Sequence, residues 1–468
     1  KSLLKYSKEV KEEKFNIEVK IVTKVSTNLL KDNSFIYIDV DNENYHYGNI
    51  KGIAISNGVE SEYLPVDYLF FDFDFIDYLS SNSIKKDCYD MKLAYVSLRK
   101  VGITLANIQF DFLLANYLLH PDINKIYDLF LTYGITLKEI NKNSTFEDNV
   151  AYAMSIAKCG CLLKEDVLNN LKEINNISLL LDIEQPLALI LAKMELNGVL
   201  VDVDLLNKLD KEYSTLIKSI ELEINEMAGK EININSPKQL AELLYDDLGL
   251  PCNKKRSTNA DDLKSIASLH PIVNKILEYR KYSKLLNTYI DAFKEYRFAD
   301  NRIHALFNQS STMTGRLSSS CPNLQNLSVR DDERNIIRKL IIAPKNYKIL
   351  SLDYSQIELR LLAILSKDEA LLESFSNNFD VHASTASKIF NEPIESVTPA
   401  QRRIAKAVNF GIVYGISPWG LAEQIQTSLK EAQEIINKFF ISYPKVKEYL
   451  NSNIDFAIKN GYVTTMFN

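Results

Sequence analysis

The sequence predicts a chain of several domains with α/β and α+β folds, and three observations carry this prediction. First, 468 residues are too many for one hydrophobic core, because domains usually hold roughly 100 to 200 residues. Second, short apolar runs of strand-like composition near the start are followed by helical patterns. Third, long, charged, amphipathic stretches dominate the sequence from residue 183 to about residue 300.

Composition narrows the class of protein. Hydrophobic residues make up 46% of the chain and charged residues 25%, which is typical of a globular protein and not of a disordered or fibrous one. No apolar run is long enough to cross a bilayer, and residues 1–20 lack the apolar core of a secretory signal. We expect no membrane partner and a cytoplasmic location. The chain begins at Lys1 without a methionine and is interpreted as an excised or processed fragment.

Cysteine spacing indicates no zinc site. The five cysteines are scattered, and no second Cys or His pair completes a set of metal ligands. This usage favours a reducing compartment. The cysteines are Cys88, Cys159, Cys161, Cys252 and Cys321.

The net charge of −6 argues weakly against nucleic-acid binding, but a sum hides how charge is distributed. Many basic residues fall within a short part of the second half of the chain, and local positive surface matters more for nucleic-acid binding than the total does. These residues are Arg316, Arg330, Arg334, Arg338, Lys339, Arg360, Arg402, Arg403 and Lys406.

The N-terminal part is predicted to be a mixed α/β domain at residues 1–182. Residues 35–41 (Phe-Ile-Tyr-Ile-Asp-Val-Asp) and the run from Gly52 to Ser56 have the composition of two strands of one sheet. Helical patterns follow between residues 90 and 165.

A helical arm is predicted at residues 183–300. Amphipathic helical patterns cover 184–197, 203–228 and 262–295. Ser236 precedes Pro237, which is the arrangement of an N-cap followed by a first-turn proline, so a helix is expected to start there.

The first candidate for chemistry is an acid at the end of an apolar run. Residues 347–354 (Tyr-Lys-Ile-Leu-Ser-Leu-Asp-Tyr) are typical of a strand, and Asp353 would stand at its end, where a carboxylate can face a cleft. Carboxylates hold the hard divalent cations that neutralise charge in phosphoryl transfer. Asp353 could equally be a helix N-cap. A helix is expected at 355–366, with apolar spacing at Ile357, Leu361 and Ile364.

The second candidate is a helix with a well-specified start at residues 398–415, Thr-Pro-Ala-Gln-Arg-Arg-Ile-Ala-Lys-Ala-Val-Asn-Phe-Gly-Ile-Val-Tyr-Gly. Thr398 is expected to cap the helix, Pro399 to open it, and Gln401 to complete a capping box.

One stripe along this helix offers cations first and aromatic rings last. Arg402, Lys406, Phe410 and Tyr414 recur every four residues over about 18 Å. The order matches a nucleoside triphosphate lying along the helix, with phosphates at the two cations and base and sugar at the two rings. The alternative is a structural helix with a solvated basic start and a buried aromatic end.

These two segments resemble the signature motifs of a known family. Residues 353–360 (Asp-Tyr-Ser-Gln-Ile-Glu-Leu-Arg) are similar to the first motif of the family A DNA polymerases. Arg402 together with residues 406–415 (Lys-Ala-Val-Asn-Phe-Gly-Ile-Val-Tyr-Gly) is similar to the second.

The resemblance extends over essentially the whole chain. Residues 314–319 (Thr-Gly-Arg-Leu-Ser-Ser), residues 322–326 (Pro-Asn-Leu-Gln-Asn) and Arg330 resemble the primer-template segment of the family. Residues 234–240 resemble its thumb, and residues 184–187 resemble the start of its polymerase region. Three motifs of several residues each, in the family's order, make coincidence negligible.

The resemblance implies a fold, an activity and partners. It implies an RNase H-like 3′-5′ exonuclease-type domain at 1–182, followed by a right-hand polymerase with a thumb at 183–300, the first part of a palm at 301–365, fingers at 366–452 and a return towards the palm at 453–468. It implies template-directed transfer of dNMP from dNTP to a primer 3′-OH in DNA repair and replication. The implied partners are primer-template DNA and dNTP, and the implied state is a monomer in the bacterial nucleoid.

Roles follow position by position from the resemblance. Asp353, with the Tyr354 carbonyl, would bind two Mg²⁺ ions, and Asp353 and Lys406 would be the catalytic residues. Glu358 would exclude ribonucleotides by occupying the space near the sugar 2′ position. The implied nucleotide-binding residues are Gln356, Glu358, His382, Arg402, Lys406, Phe410 and Tyr414. The implied DNA-binding residues are Arg316, Gln325, Asn326 and Arg330, of which Arg316 and Gln325 would check the minor groove.

One piece that the resemblance requires is absent from the sequence. The third family motif, His-Asp-Glu, supplies the second metal-binding aspartate, and the sequence reaches Asn468 before it. A chain that truly ended at Asn468 would instead be a catalytically inactive DNA-binding scaffold. A single-subunit RNA polymerase is a further alternative, but Glu358 argues against it because that class has a small residue there.

The nuclease-type domain is expected to be vestigial, because its metal-binding acids are incomplete. Asp41 and Glu43 superficially offer the first acidic pair, with Asp39 as an alternative to Asp41. The second-motif aspartate falls at Ala94, although Asp90 lies one helical turn earlier.

The third motif of proofreading members, Tyr-x-x-x-Asp, falls within residues 152–158. There Tyr152 leads to Ile156 and Met154 leads to Lys158. A lysine where a metal ligand should stand repels the cation.

Overall fold

The structure, a computed structural model, describes residues 13–141, 143–252, 255–327, 336–377 and 379–466. These residues form two compact units, 13–349 and 350–466. Within the described ranges, no helix is both long enough and apolar enough to span a bilayer. All five cysteines are free thiols.

The first unit combines sheets and helices. Its strands are β1 (Glu13–Lys14), β2 (Ser34–Val40), β3 (Ile50–Ser56), β4 (Ser61–Pro65), β5 (Lys86–Cys88), β6 (Ile108–Asp111), β7 (Ile135–Thr136), β8 (Val199–Val201), β9 (Arg302–Ile303), β10 (Leu306–Asn308), β11 (Ser318–Ser320) and β12 (Ile341–Ile342). Its α-helices are α1 (Val66–Leu69), α2 (Phe73–Ser80), α3 (Met91–Lys100), α4 (Phe112–Leu119), α5 (Ile126–Leu131), α6 (Phe146–Glu173), α7 (Gln185–Asn197), α8 (Val203–Ala228), α9 (Pro237–Ala241), α10 (Ala260–Ile266), α11 (Pro271–Leu285) and α12 (Asp291–Glu295).

A five-stranded sheet is the centre of the N-terminal domain. Its order is β4-β3-β2-β5-β6, with β3 antiparallel to both β2 and β4, and with β5 parallel to both β2 and β6. Phe35, Ile36 and Ile38 of β2 and Ile53 and Ile55 of β3 are buried, because helices α3 and α6 pack on the sheet. The two strands predicted from the sequence are confirmed as β2 and β3.

Helix α6 lies directly on this sheet. A Cβ added at Gly160 would come within 2.4 Å of the Phe35 ring, so the close approach of helix and strand requires glycine. A capping box between Thr145 and Asp148 sets the start of the helix. The helices expected between residues 90 and 165 are α3 to α6.

The helical arm is built around α8 and α11, which pack against each other. Ile220 and Ile224 of α8 share a buried cluster with Ile276 of α11. The predicted helix start at Ser236 is confirmed, since its hydroxyl accepts a hydrogen bond from the Gln239 backbone N–H at 3.4 Å. The amphipathic stretches predicted before residue 230 are helices α7 and α8.

The third stretch, predicted at 262–295, is not one helix. Helix α10 ends at Ile266, α11 begins at Pro271, and the π-helical turn Leu286–Ile290 separates α11 from α12. Pro271 lacks the backbone N–H that a continuing helix would use, and its ring clashes with the preceding turn. The same proline suits the first turn of a new helix.

Two small sheets follow the arm. One has the order β12-β8-β9 and the other pairs β10 with β11. Val201 of β8 and Ile303 of β9 are buried with Leu206, Ile290 and Leu340 in one cluster. This cluster ties the base of the arm to β8 and β9, and Leu324 of the predicted DNA-binding segment packs against it.

A buried carboxylate joins the N-terminal domain to the strands after the arm. Glu195 of α7 is fully buried and accepts hydrogen bonds from Tyr45 Oη at 2.6 Å, Lys92 Nζ at 2.6 Å and the Phe307 backbone N–H at 2.8 Å. His46 Nε2 lies 3.2 Å from Glu195 Oε2. A carboxylate is tolerated in a protein interior only when it is paired and hydrogen-bonded in this way.

Tyr117 of α4 makes a second connection of this kind. Its hydroxyl donates to the Thr312 carbonyl oxygen at 2.6 Å and accepts from the Gly315 backbone N–H at 3.1 Å. The N-terminal domain therefore holds both ends of the turn at 312–315, directly before Arg316.

The second unit is helical in its described residues. Its α-helices are α13 (Ile357–Ser366), α14 (Glu369–Ser376), α15 (Val381–Phe390), α16 (Pro399–Val413), α17 (Pro418–Ile425), α18 (Leu429–Ser442) and α19 (Pro444–Asn460). Leu359, Val408, Leu421, Phe439 and Val446 share its buried core.

The prediction of a strand at 347–354 is wrong. The structure has no strand there, and within the described residues no strand pairs with this segment. Leu350 and Leu352 are 79% and 84% exposed. Apolar alternation indicates a strand only where a neighbour supplies backbone hydrogen bonds and a covered face.

The helix expected at 355–366 is confirmed as α13, but two of the three apolar residues that predicted it are exposed. Ile357 and Ile364 are 43% and 55% exposed, whereas Leu359, Leu362 and Ala363 are buried. Both sets have helical spacing, and the core of the second unit selects the latter.

Candidate active site

The segment that carries Asp353 is irregular and exposed. It ends at Gln356, which has a left-handed backbone with φ of 53° and stands at the N-cap of α13 without a side-chain cap hydrogen bond. The alternative that Asp353 is a helix N-cap is therefore wrong. Its carboxylate is available to the cavity that this segment borders.

One cavity in the second unit gathers most of the predicted nucleotide-binding residues. It has a volume of about 410 Å³, and the first turn of α13, helix α15 and helix α16 border it. Its lining consists of Asp353, Tyr354, Ser355, Gln356, Ile357, Glu358, His382, Arg402, Lys406 and Phe410.

Helix α16 positions the basic side of this cavity. The capping box is confirmed: the Thr398 hydroxyl accepts from the Gln401 backbone N–H at 3.3 Å, and Gln401 Oε1 accepts from the Thr398 N–H at 2.8 Å. Arg402, Lys406 and Phe410, on successive turns, all line the cavity. The stripe thus reaches the cavity with cations first and an aromatic ring last.

Tyr414 ends the stripe as the C-cap residue of α16. It is 62% exposed, so the alternative of a buried aromatic end is wrong for this residue. Its hydroxyl donates to Glu358 Oε1 at 2.5 Å. Glu358 is therefore tied to the end of α16 and also borders the cavity.

Asp380 orients Arg402, and sequence reasoning missed it. Arg402 Nε donates to Asp380 Oδ2 at 2.6 Å, and Asp380 Oδ1 caps α15 by accepting from the backbone N–H groups of His382 and Ala383. Burial opposes ionisation of Asp380, but the Arg402 hydrogen bond and the two cap bonds together lower its pKa. Its N-cap position two residues before His382 was the signal that could have indicated it.

His382 is nearly fully buried, with 3% of its surface exposed. Burial lowers the pKa of its imidazole, nearby Arg402 and Lys406 lower it further, and Asp380 opposes them. Its Nδ1 lies 3.0 Å from Asn409 Nδ2. Asn409, buried on α16, is a second residue that sequence reasoning missed.

The predicted DNA-binding residues lie in the first unit. Arg316 is exposed next to β11, and Gln325 and Asn326 are exposed in the short 3-10 turn Leu324–Asn326. Asn323 caps that turn by accepting from the Gln325 backbone N–H at 3.0 Å. Arg330 lies outside the described residues.

Asp41 and Asp39, the two candidates for the first nuclease-type acid, are both bound to neighbouring groups. Asp41 accepts from the Asn49 backbone N–H at 2.7 Å, and this bond is the main reason why its pKa is lowered. Asp39 accepts from the Tyr63 hydroxyl at 2.9 Å and lies 3.1 Å from Lys51 Nζ. Glu43 is exposed.

A small cavity of about 70 Å³ remains beside the sheet, bordered by both Asp90 and Ala94. Asp90 caps α3 through the Leu93 backbone N–H at 2.9 Å, and burial raises the pKa of its carboxyl group. The residues lining this cavity include neither Asp41 nor Lys158. In the part of the chain that the structure describes, no three His, Cys, Asp or Glu side chains are grouped to hold a metal ion.

Comparisons with known proteins match both parts of the chain. A family model described as DNA polymerase family A matches residues 203–468. A model described as DNA polymerase I, ribonuclease H-like domain, matches residues 36–142.

Similar curated proteins carry one name. DNA polymerase I of Bacillus subtilis is 39% identical over 473 residues, which cover 96% of this chain and 53% of that protein. DNA polymerase I of Caldicellulosiruptor bescii is 41% identical over 401 residues, covering 83% of this chain and 46% of that protein. The chain spans about half the length of the curated relatives it matches.

A solved structure is similar over most of the chain. The POL domain of Pol1 from M. smegmatis, in complex with DNA primer-template and dNTP, is 31% identical with a TM-score of 0.81. The match covers 94% of this chain and 78% of that one.

Proposed function

The chain belongs to the family A DNA polymerases, and on this premise we propose that it is the core of a DNA-directed DNA polymerase. It adds dNMP from dNTP to a primer 3′-OH under the direction of a DNA template. The observation that carries the proposal is the single cavity in which Asp353, Arg402, Lys406 and Phe410 meet. A carboxylate, two cations and a ring are what a metal-bound nucleoside triphosphate requires.

Magnesium fits the donor set of this cavity. Mg²⁺ usually takes one or two carboxylates together with substrate phosphates, and Asp353 with the Tyr354 carbonyl offers such a set. Two bound ions would neutralise charge on the attacking and leaving oxygens. The second aspartate that the family's third motif would supply is not among the residues of this sequence.

The remaining residues bind and orient the nucleotide. Arg402, held by Asp380 at 2.6 Å, and Lys406 place positive charge at the phosphates, and His382 adds a hydrogen bond. Glu358, tied to Tyr414, occupies the space near the sugar and selects against a 2′-hydroxyl.

DNA contacts belong to the first unit in this proposal. Arg316, Gln325 and Asn326 bind the primer-template, with Arg330 as a fourth contact. The helical arm at 183–300 serves as the thumb, 301–365 as the first part of the palm, 366–452 as the fingers and 453–468 as the return towards the palm. The enzyme acts as a monomer in repair and replication.

We also propose that the domain at 1–182 does not proofread. Its candidate ligands Asp39 and Asp41 are engaged with neighbouring side chains and backbone. Ala94 offers no ligand, and Asp90 is committed to capping α3. A two-metal nuclease needs its carboxylates gathered at one place.

Single-turnover primer extension by the full-length protein tests the proposed activity. Asp353→Ala should abolish extension while DNA binding is retained, because only metal-dependent chemistry is removed. Glu434→Ala, an exposed acid on α18, is the matched control and should extend normally. A wild-type protein that binds DNA but never extends a primer would favour the scaffold alternative.

A further inference from the structure

Behind the nucleotide cavity, four side chains form an unbroken, buried hydrogen-bond chain. Asn409 Nδ2 lies 3.0 Å from His382 Nδ1, Thr385 Oγ1 lies 3.2 Å from Asn409 Oδ1, and the Tyr443 hydroxyl lies 3.1 Å from Thr385 Oγ1. None of the four is more than 3% exposed. Helices α15 and α16 and the residue after α18 are joined by this chain.

The donors and acceptors of this hydrogen-bond chain follow one direction, from Tyr443 to His382. Thr385 Oγ1 donates to Asn409 Oδ1, so the hydrogen bond between Thr385 and Tyr443 is donated by the Tyr443 hydroxyl, whose pKa burial raises. Thr385 then directs its own proton to Asn409 Oδ1, which leaves the Asn409 amide N–H₂ facing His382. The reversed direction would need the Asn409 amide turned over, with Thr385 donating to Tyr443. Tyr443 would then donate to Ser384, the other hydroxyl that it contacts. The structure has the first direction, because Asn409 Oδ1 faces Thr385 and Nδ2 faces His382.

We infer that Asn409 is a positioning residue that holds His382 as the neutral tautomer protonated on Nε2. An N–H₂ group can only donate, so the Nδ1 atom facing it must accept and carries no proton. The Nε2–H group is then left to donate a hydrogen bond within the cavity that His382 lines.

This arrangement suits a phosphate ligand that already has two cationic partners. Arg402 and Lys406 face the same cavity, and a third full charge on a buried imidazole would be costly beside them. A neutral donor adds a directional hydrogen bond to a phosphate oxygen without that cost. The identity of the ligand rests on the proposed function, whereas the His382 tautomer is a property of the protein without any ligand.

Histidine NMR tests the tautomer without any nucleotide. The chain is labelled with ¹⁵N-histidine, long-range ¹H–¹⁵N spectra are recorded, and the His382 signals are assigned by their loss in His382→Gln. The wild type should show a protonated Nε2 and an unprotonated Nδ1. Asn409→Asp should place a proton on Nδ1, because a carboxylate can only accept.

Two further variants separate positioning from general packing. Thr385→Val removes the hydroxyl that orients the amide and should replace the single tautomer by a mixture. Ser442→Ala, which loses only a bond to the Lys438 carbonyl, should leave the His382 signals unchanged. A protonated Nδ1 in the wild type, or an unprotonated Nδ1 in a folded Asn409→Asp variant, would overturn the inference.

A binding measurement connects the tautomer to the nucleotide. The single tryptophan, Trp419, is 69% exposed on α17 and serves as a fluorescence reporter for dTTP with Mg²⁺. Asn409→Asp should weaken dTTP binding about tenfold, the size of one hydrogen bond to a charged group. Unchanged affinity with a switched tautomer would refute the positioning role. A wild-type protein that binds no dTTP would count against the proposed function. The His382 tautomer would still be tested by the NMR spectra, which use no nucleotide.

Discussion

At the scale of single residues, Glu358 is the side chain whose replacement should change substrate choice. It borders the cavity and accepts a hydrogen bond from Tyr414 at 2.5 Å. Glu358→Ala would open the space near the sugar, so we expect the ratio of rNTP to dNTP incorporation to rise about tenfold or more. Tyr414→Phe keeps the ring but removes the bond that holds Glu358, and should give a smaller rise. Equal ratios in Glu358→Ala and wild type would place the gate elsewhere.

Lys406 and Arg403 are two cationic residues of α16 whose replacement by alanine can be compared directly. Lys406 lines the cavity, whereas Arg403 is exposed and outside its lining. Lys406→Ala should slow dNTP incorporation by roughly 100-fold, because it removes a charge that stabilises the transferring phosphates. Arg403→Ala should change the rate little. Equal effects of the two variants in rapid-quench kinetics would mean that only the summed charge of the helix matters.

The site was predictable where chemistry follows a regular spacing. Arg402, Lys406 and Phe410 were predicted from their four-residue repeat, and the structure brings them to one cavity. Asn409 and Asp380 were missed because they act on other side chains and have no spacing of their own. Asn409 is buried, and its partner His382 on α15 becomes apparent only once packing sets α15 and α16 side by side.

At the scale of elements, the capping box at the start of α16 is expected to stabilise the second unit. Thr398→Ala removes the hydroxyl that accepts from the Gln401 N–H and should lower the free energy of unfolding by about 1 kcal/mol. Urea denaturation followed by circular dichroism measures this loss. Thr398→Ser keeps the cap and should unfold close to the wild-type midpoint, and a loss as large as that of alanine would contradict the cap's role.

Helix starts were predicted correctly where the signal lies in a few adjacent residues. Predictions failed where the element depends on a partner that is distant in the sequence. The capping box at Thr398 and the helix start at Ser236 were confirmed because caps depend on a few adjacent residues. The strand at 347–354 was wrong because pairing is non-local. The break before Pro271 was missed although proline is a local signal, since the amphipathic pattern continued across it.

At the scale of the whole molecule, the N-terminal domain should fold without degrading DNA. Within the described residues its acids are not grouped to hold a metal ion, and we expect Lys158 to repel a cation where the third motif would place an acid. We expect no magnesium-dependent shortening of a labelled single strand or of a mismatched primer 3′ end by the purified protein. Robust shortening that Asp41→Ala abolishes would contradict this and would imply that Asp90 acts as a ligand.

The buried joint at Glu195 should couple the N-terminal domain to the rest of its unit. Lys92→Met leaves Glu195 without its cation, and breaking one side of a buried pair costs about 3 to 5 kcal/mol. Adding Glu195→Gln to Lys92→Met should recover part of that loss in urea denaturation, because the uncompensated charge is gone. No recovery in the double variant would mean that packing, and not charge, holds the joint.

Acid should weaken the same joint. Burial lowers the pKa of His46 below its ordinary 6.5, so the unfolded chain takes up that proton first and stability falls as the pH drops below about 6.5. The pKa of Glu195 is also lowered on balance, because the His46 and Lys92 interactions outweigh burial, and its contribution is lost below the usual glutamate range near 4.5. Melting temperatures measured from pH 7 to pH 5 should fall more in Glu195→Gln, because Glu195 raises the pKa of His46 against burial and its loss enlarges the difference from the unfolded chain.

Glu195 also limits where the chain can be truncated. A variant that begins at residue 183 would keep the carboxylate but lose Tyr45, His46 and Lys92, which now surround it. An engineer who wants a minimal enzyme must therefore replace Glu195 by glutamine or leucine in the same step. Removing the N-terminal domain should therefore cost stability, because it takes away three side chains that pair with the Glu195 carboxylate.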